Sequence, residues 1–394
     1  MTMDRTGSLA RGNSNDHLRR HNLSVILDLV HHERGMSRSQ LTGRTGLNRS
    51  TIGGLVNELV DRKLVIEEGA QSSNQVGRPS PMVRPGSVPV GIAVNPEVDA
   101  ITLGVVGLGG VLITTVRRSL ESIPTAAEAV TVAAEMVDAL RPSLAKTHRI
   151  VGIGAAIPGL VRSSDGLVRL APHLNWVDEP FAALLAKATG LSVSAANDAR
   201  LGARGERAFG AGRGIDDLLY VNGGASGIGG GIISAGRPLG GEAGYAGELG
   251  HTMVNPGGTR CHCGATGCLE TEVRRDRLLE VTGLTPETLD RLASELRKPQ
   301  NQRVTEEVER QVAFLATALR NAVNLLNPRL ILLGGFLAAL HNADPSGLGD
   351  VGALRASAEG LEIREAELGN DLLMIGAGEL ALESLIADPG AFTG

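Results

Sequence analysis

The chain has 394 residues, of which 42% are hydrophobic and only 2% aromatic, and its formal net charge is -5. This length favours two or three domains, and the scarcity of aromatic residues argues against the stacking surfaces of single-strand binders. Residues 1–86 carry twelve Arg or Lys against eight Asp or Glu, whereas the remainder carries 26 against 35. An acidic body is repelled by phosphate backbones, so any contact with nucleic acid is expected in the first segment.

The N-terminus is polar and has no apolar core of a secretory signal. No apolar run approaches the roughly 20 residues that span a membrane. We therefore expect a cytoplasmic protein with no membrane partner. Residues 1–17 are rich in Gly, Ser, Asn and Arg without periodicity, which predicts a disordered tail.

Residues 18–70 have the pattern of a winged helix-turn-helix domain. Ser37 and Asn48 are predicted to cap two short helices, and Gly46 permits the tight turn between them. Polar residues at the start of the second helix suit phosphates and base edges in a major groove. The candidate DNA-binding residues here are Arg38, Asn48, Arg49, Ser50 and Thr51. An ordinary helical hairpin with a solvated polar face is the alternative.

Residues 71–87, rich in Gly, Ser, Gln and Pro, are predicted to be a wing tip and linker. Strand-like stretches at 64–67 and 81–84 would frame the hairpin of the wing. Arg78 lies in a Gly-Arg-Pro triplet and is a further candidate DNA contact, because arginine binds well in a narrow minor groove. A plain hinge is the alternative for this triplet.

Residues 88–394 alternate strand and helix patterns, as an α/β domain does. A buried strand is predicted at 150–161, with a sharp turn at Gly159 that lets backbone approach a ligand. A later strand delivers Asn197 and Asp198 at its carboxyl end, where open α/β sheets bind ligands. Further strands are predicted at 88–94, 100–106, 110–117 and 327–336, a glycine-rich hairpin from 218, and helices at 126–145, 306–324 and 375–386.

Residues 248–270 hold all three cysteines of the chain. One imidazole and three thiolates make the closed tetrahedral set that structural zinc prefers. The candidate ligands are His251, Cys261, Cys263 and Cys268. His262 is a spare candidate, but two neighbouring residues rarely reach one ion. The alternative is a disulfide with one leftover thiol, which the absence of a signal peptide disfavours.

The run Glu248-Leu-Gly-His251, followed by Cys261-x-Cys263-Gly-x-x-Gly-Cys268-Leu-Glu270, resembles the signature of the ROK family of repressors, open reading frames and sugar kinases. The resemblance implies an α/β, two-lobed actin-like (RNase H-like) sugar-kinase fold behind the winged helix-turn-helix, with one structural zinc ion. It also implies a sugar site beside the zinc loop. The candidate sugar-binding residues are Gly159, Asn197, Asp198, Glu248, His251 and Glu270. Solvated surface charge is the alternative for each acid.

One stretch departs from the kinases of this family, which resemble one another in an Asp-x-Gly-Gly-Thr turn after the first strand. Asn95, Pro96 and Glu97 stand there instead, which removes a backbone donor and adds negative charge where phosphates would lie. We therefore predict a sugar-responsive DNA-binding regulator, a repressor of carbohydrate metabolism, without kinase activity. The alternatives are a sugar kinase that also binds DNA, and a zinc-stabilised oligomer with a vestigial pocket.

The predicted partners follow from this interpretation. A small winged domain offers few contacts, so a homodimer or higher oligomer on an inverted repeat is expected. A sugar or sugar phosphate that touches both lobes should favour the closed cleft. Closure is then expected to reorient the DNA-binding heads through the linker.

Overall fold

The computed structural model describes residues 15–69, 80–298, 301–349, 351 and 360–392. The helices are α1 Asn15–His32, α2 Arg38–Thr45, α3 Arg49–Asp61, α4 Ala126–Leu144, α5 Phe181–Thr189, α6 Asp198–Phe209, α7 Leu269–Glu272, α8 Arg275–Thr282, α9 Leu292–Leu296, α10 Gln302–Leu326, α11 Phe336–Ala343 and α12 Leu372–Ala387. The strands are β1 Met36–Ser37, β2 Val65–Glu68, β3 Met82–Pro85, β4 Pro89–Pro96, β5 Ala100–Gly107, β6 Val111–Ser119, β7 Arg149–Ile157, β8 Leu160–Val161, β9 Val168–Ala171, β10 Trp176–Glu179, β11 Val193–Asn197, β12 Leu218–Gly224, β13 Gly227–Ser234, β14 Arg237–Pro238, β15 Leu330–Gly335 and β16 Glu362–Glu365.

The N-terminal head contains α1 to α3 and a sheet of order β1-β3-β2. Ser37 caps α2 in a capping box with Gln40, and Asn48 caps α3 by accepting from the backbone N–H of Thr51. Gly46 ends α2 at φ 70°, a left-handed conformation that costs glycine little. The two predicted caps and the glycine turn are therefore confirmed.

The boundaries of the head differ from the prediction at both ends. Helix α1 begins at Asn15, inside the tail predicted for residues 1–17. Strand β3 pairs with both β1 and β2, so the head extends to Pro85, and residues 71–79 of the predicted wing tip and linker lie outside the described residues. Three residues separate β3 from β4, and Gly86 N–H donates to the carbonyl of Leu64, so this connection is short and bonded. Arg78 lies outside the described residues.

The first lobe is built on a five-stranded sheet of order β11-β7-β4-β5-β6. Strands β4 to β6 form an antiparallel meander, and β7 and β11 add in parallel. Helices α4 and α5 cover one face, and α12 packs on the other. The strand predicted at 150–161 is interrupted: β7 ends at Ile157 and β8 begins at Leu160, because Pro158 has no N–H for the ladder.

The second lobe repeats this topology in a sheet of order β14-β13-β12-β15-β16. An antiparallel meander is again followed by two parallel strands. Helices α10 and α11 cover one face, and α6 packs on the other against β12 and β13. Two lobes of like topology are the architecture expected of the actin-like fold.

Helices α6 and α12 pack against each other between the two sheets. Helix α6 follows the last strand of the first lobe and precedes the first strand of the second. Its N-terminus therefore lies at the cleft between the lobes. Among the described residues, no helix combines the length and apolar character needed to cross a membrane.

Candidate functional site

The cleft between the lobes contains a cavity of about 310 Å³ that the start of α6 borders. Its lining includes all six residues predicted to bind sugar: Gly159, Asn197, Asp198, Glu248, His251 and Glu270. His173, Asn222 and Ser226 also line it, and they were not among the predicted residues. His173 follows β9, Asn222 lies within β12 and Ser226 is in the turn after β12, and no local motif distinguishes them.

The first-lobe side of the cavity is fixed by the end of β11 and the start of α6. The Asn197 side chain donates to the carbonyl of Gly159 (3.1 Å) and accepts from the N–H of Arg200 (3.1 Å), so it both caps α6 and holds the turn. Asp198 accepts from the N–H of Ala199 at 2.7 Å. Burial raises the pKa of Asp198 to about 6. Burial thus destabilises the ionised form of this carboxylate.

The second-lobe side carries Glu248, His251 and Glu270. A short 3-10 helix, Leu249–His251, packs on β13. Glu270 lies in α7, which begins directly after Cys268. Burial and the charges of Asp198 and Glu270 raise the pKa of Glu248. The acids therefore repel one another across the cavity. A ligand that donates several hydrogen bonds, such as the hydroxyls of a sugar, would relieve this repulsion.

The four predicted metal ligands form one cluster. One ligand atom from each of them lies within 4.8 Å of the others: His251, Cys261, Cys263 and Cys268. Cys263 Sγ and Cys268 Sγ are 3.6 Å apart, and Cys261 Sγ is 3.6 Å from His251 Nδ1. All three cysteines are free thiols, so the disulfide alternative does not describe this structure.

This cluster fits a tetrahedral metal ion. Metal–sulfur bonds of about 2.3 Å give a tetrahedron with edges of about 3.8 Å, close to the two separations above. Burial raises the pKa of the Cys261 and Cys268 thiols, so a bound cation would be needed to hold them as thiolates. His251 directs Nδ1 to the sulfurs and Nε2 toward Glu248, 3.9 Å away. His262 Nδ1 lies 3.1 Å from Glu270 Oε1.

A second hollow of about 440 Å³ adjoins the cleft and shares Gly227 and Glu270 with it. Arg260, Arg274 and Arg275 line its walls beside the glycine turn between β12 and β13. The opposite turn, after β4, has a different character. Glu97 N–H donates to the carbonyl of Ala100, and its carboxylate accepts from the hydroxyl of Thr102 at 2.6 Å.

The candidate DNA-binding face lies at the start of α3. Arg49 and Ser50 are exposed there, whereas Asn48 is occupied as the helix cap. Arg38 is occupied too: its guanidinium binds Glu67 at 2.6 Å and Asn57 at 2.9 Å, tying α2 to β2 and α3. These bonds brace the head, and Arg38 stays a candidate DNA contact only if DNA competes with Glu67 for its guanidinium.

Helical spacing of four and three residues from Ser50 leads to Gly54 and Asn57, both exposed on this face. Neither residue was among the predicted DNA contacts. A Cβ at Gly54 would meet no atom within 4 Å, so the surface above it is open. Because Gly54 has no side chain, this face of α3 can approach the floor of a DNA groove closely. Thr51, by contrast, is partly buried.

Comparisons with known proteins place these features in context. The ROK family profile matches residues 92–384. The xylose repressor of Caldicellulosiruptor bescii is 27% identical over 337 residues, which cover 80% of this chain and 83% of that protein. A glucokinase of Halalkalibacterium halodurans is 33% identical over 269 residues, or 62% of this chain and 81% of the glucokinase.

A solved structure is similar along nearly the whole chain. It is a ROK family transcriptional regulator, a homologue of the E. coli MLC protein, with a TM-score of 0.77 and 25% identity. The match covers 94% of this chain and 98% of that one. Such coverage requires most of the head to be included, because the head is longer than the part left uncovered.

Proposed function

The chain belongs to the ROK family, and from its cleft and head we propose that it is a sugar-responsive DNA-binding transcriptional regulator, a repressor, without kinase activity. The observation that carries this proposal is one chain with two sites: a carboxylate-lined cleft and a helix-turn-helix head. A regulator needs both, whereas a sugar kinase needs only the first. The long match to a repressor and to a regulator structure supports the same function.

We propose that a sugar binds between Asp198 on one side and Glu248 and Glu270 on the other. Carboxylates accept hydrogen bonds from neighbouring hydroxyls, each contributing roughly 1.5 to 3 kcal/mol. Asn197 and Gly159 shape the floor, as their mutual hydrogen bond suggests. Because a related repressor is named for xylose, D-xylose is the first sugar to test.

We propose that the Cys₃His cluster holds one structural zinc ion. His251, Cys261, Cys263 and Cys268 would hold it, and zinc would supply a fixed anchor rather than a reactive water, because the ligand set is closed. His251 would thereby be held with Nε2 toward the cleft, where it can meet a sugar hydroxyl. The metal thus belongs to ligand recognition as well as to the fold of the loop.

The proposed loss of phosphoryl transfer rests on the turn after β4. Phosphate sites need free backbone N–H groups and no competing negative charge. Pro96 offers no N–H, the N–H of Glu97 is bonded to Ala100, and the Glu97 carboxylate would repel a phosphate. The rival function, a sugar kinase, is favoured by the glucokinase relative and by the arginine-lined hollow beside the glycine turn.

We propose that the head reads DNA with Arg49, Ser50 and the exposed face of α3 in a major groove. A homodimer on an inverted repeat would double the few contacts of one head. Arg78 remains a candidate minor-groove contact.

The protein is expected to work in the cytoplasm.

The test has three arms on the wild-type chain. Duplexes are selected from a random-sequence pool and sequenced. The affinity of the selected duplex is then measured by fluorescence anisotropy with D-xylose, D-glucose, N-acetyl-D-glucosamine and their phosphates, and ADP release from ATP is followed with each sugar. We expect an inverted repeat, a change in affinity with one sugar, and no ADP above background. Sugar-dependent ADP release that disappears in Asp198→Asn would establish the kinase instead.

A further inference from the structure

The head is firmly packed on the helix α12. Leu382, Leu385 and Ile386 of α12 are buried in the same apolar cluster as the core of α1 to α3. Helix α12 itself packs on β4, β5 and β7 of the first lobe. The head is therefore anchored mainly to the first lobe, and the short connection from β3 to β4 adds to this attachment.

A buried carboxylate on α12 stabilises the contact between α12 and α1. The Glu379 side chain of α12 is 2% exposed, and its Oε1 lies 2.7 Å from His31 Nε2 of α1. Because His31 Nδ1 accepts the N–H of Gly109 (2.9 Å), the ring proton is on Nε2 and is donated to Glu379. His32 Nε2 lies 3.4 Å from the other carboxylate oxygen.

The same arrangement argues against a metal ion, although these three side chains are a possible ligand set. A histidine that binds a metal normally donates the hydrogen of its other ring nitrogen to an acceptor. Here the other nitrogen of His31 faces the N–H of Gly109, which is a donor. The cluster is therefore a hydrogen-bonded lock between head and body.

The helix α6 reaches the head from the side of the second lobe. At its C-terminus, the ring of Phe209 lies 5.2 Å from the ring of His31 and is stacked 5.9 Å from that of His32. The guanidinium of Arg34 covers the Phe209 ring at 5.1 Å. At the other end of α6, about 18 Å away by the rise of twelve residues, stands Asp198 in the sugar cleft.

The head is much less closely packed on this side. A cavity of about 580 Å³ separates α1 and α2 from the end of α6 and the β13–β14 hairpin. Glu33, the residue after α1, lies 3.5 Å from Arg213 of the second lobe across this cavity, and both side chains are partly exposed. Such a wet, polar contact changes geometry at lower cost than a packed apolar one.

We infer that α6 carries the sugar signal from the cleft to the DNA-binding head. This inference rests on the proposed function, because it needs a sugar that closes the cleft. Helix α6 packs on the second sheet and α12 on the first, so closure of the lobes shifts α6 along α12. The contacts of Phe209 and Arg213 with the C-terminal end of α1 then change, while Glu379 keeps α1 bonded to α12. The head then changes orientation, because it contacts both α6 and α12.

The test compares Phe209→Leu with Phe314→Leu in the full chain. Both phenylalanines lie beneath an arginine, but Phe314 is on α10, in the cluster that covers the other face of the second sheet. For each variant, affinity for the selected duplex is measured with and without the sugar to which the wild type responds. Allosteric factors are typically about 5- to 150-fold. Phe209→Leu should reduce this factor to about twofold or less while still binding sugar and duplex, and Phe314→Leu should keep it.

A wild-type factor in Phe209→Leu would overturn the inference and leave the proposed function intact. A wild-type chain whose duplex affinity no sugar alters would overturn the proposed function and the inference with it. If Phe209→Leu does not fold, Arg213→Gln is the second variant, because its partly exposed side chain is not part of a core. Hydrogen exchange of the α1 amides gives an independent readout. The sugar should change the exchange rate in the wild type and not in Phe209→Leu or Arg213→Gln.

Discussion

At the scale of single residues, the cleft keeps a carboxylate where burial opposes its ionisation. The pKa of Asp198 is raised from 3.8 to about 6 by burial. The folded chain therefore binds more protons at this residue than the unfolded chain between these values, so stability falls as pH rises from about 4 to 6. Above pH 6, the ionised side chain costs up to about 3 kcal/mol of folding free energy.

Asp198→Asn should therefore increase the free energy of unfolding by about 1 to 3 kcal/mol at neutral pH. The amide keeps the hydrogen bond from Ala199 but carries no charge. The same variant should lose most of its sugar affinity, because the neutral amide accepts weaker hydrogen bonds from the sugar hydroxyls than the carboxylate does. Urea unfolding and calorimetric titration measure the two effects.

The matched control is Asp276→Asn. Burial alone would raise the pKa of Asp276, but the hydrogen bond and charge of Arg274 outweigh it and lower this pKa. Asp276→Asn should therefore reduce stability, the opposite sign to Asp198→Asn. Equal destabilisation by both variants would contradict the assignment of Asp198 as a strained ligand-binding acid.

The two histidines of the metal loop make a second prediction at this scale. Wild-type protein should contain about one zinc ion per chain, because structural zinc binds with roughly 10 to 16 kcal/mol in small domains. His251→Gln removes one of the four proposed ligands and should lose most of the metal. His262→Gln should retain the metal, because His262 is adjacent to Cys261 and contacts Glu270. Elemental analysis of the purified variants decides between them. The reverse pattern would exchange the two histidines in the ligand set.

At the scale of elements, α3 is the helix that we expect to read DNA. Arg49→Ala should weaken binding to the selected duplex by roughly 1 to 3 kcal/mol if Arg49 contacts a base. A phosphate contact would instead weaken all duplexes alike and reduce the slope of affinity against salt by about one. Anisotropy titrations on selected and scrambled duplexes separate these cases. Arg297→Ala, an exposed arginine of the body, is the charge-matched control.

The last turn of α1 gives a prediction about pH. Burial alone would lower the pKa of His32, but hydrogen bonds to Asp28 and Glu379 outweigh it and raise the pKa to about 10. The stabilisation from charged His32 is fully present below its ordinary pKa of 6.5 and is lost as pH rises toward 10. His32→Gln has no such titration. Thermal unfolding should therefore find wild type more stable than His32→Gln near pH 6.5, with the difference shrinking toward pH 10.

A stability difference that stays constant across this range would show that His32 acts by packing alone. Burial alone would raise the pKa of Glu379, but the hydrogen bonds from His31 and His32 and the charge of Arg204 lower it. The pH-dependent part of the difference therefore reports on His32.

At the scale of the whole molecule, the cleft is lined from both lobes, so a bound sugar should favour the closed form. We expect the radius of gyration from small-angle X-ray scattering to fall when saturating sugar is added to wild-type protein. Asp198→Asn at the same sugar concentration should not change. A radius that is unaltered in wild type, at a concentration where calorimetry detects saturation, would exclude lobe closure as the response.

The sequence by itself determined the features that depend on short spacings. Caps at Ser37 and Asn48 were predictable because a side chain that bonds to the backbone two or three residues later is a local event. The Cys₃His set within 248–270 was predictable because four metal-binding side chains in one short loop have few other uses. Asn197 and Asp198 followed from their place after a strand. The resemblance carried by the cysteine loop added the two-lobed fold.

Only the tertiary structure decided how the head meets the body. His31 and Glu379 are 348 residues apart in sequence, and nothing near either one indicates the other. Arg38 and Glu67 are likewise brought together only by the fold of the head. The proposed route through Phe209 likewise depends on α6 and α12 packing between two sheets. Such contacts are set by how apolar faces are buried together across the whole chain, and a local pattern of residues does not encode that arrangement.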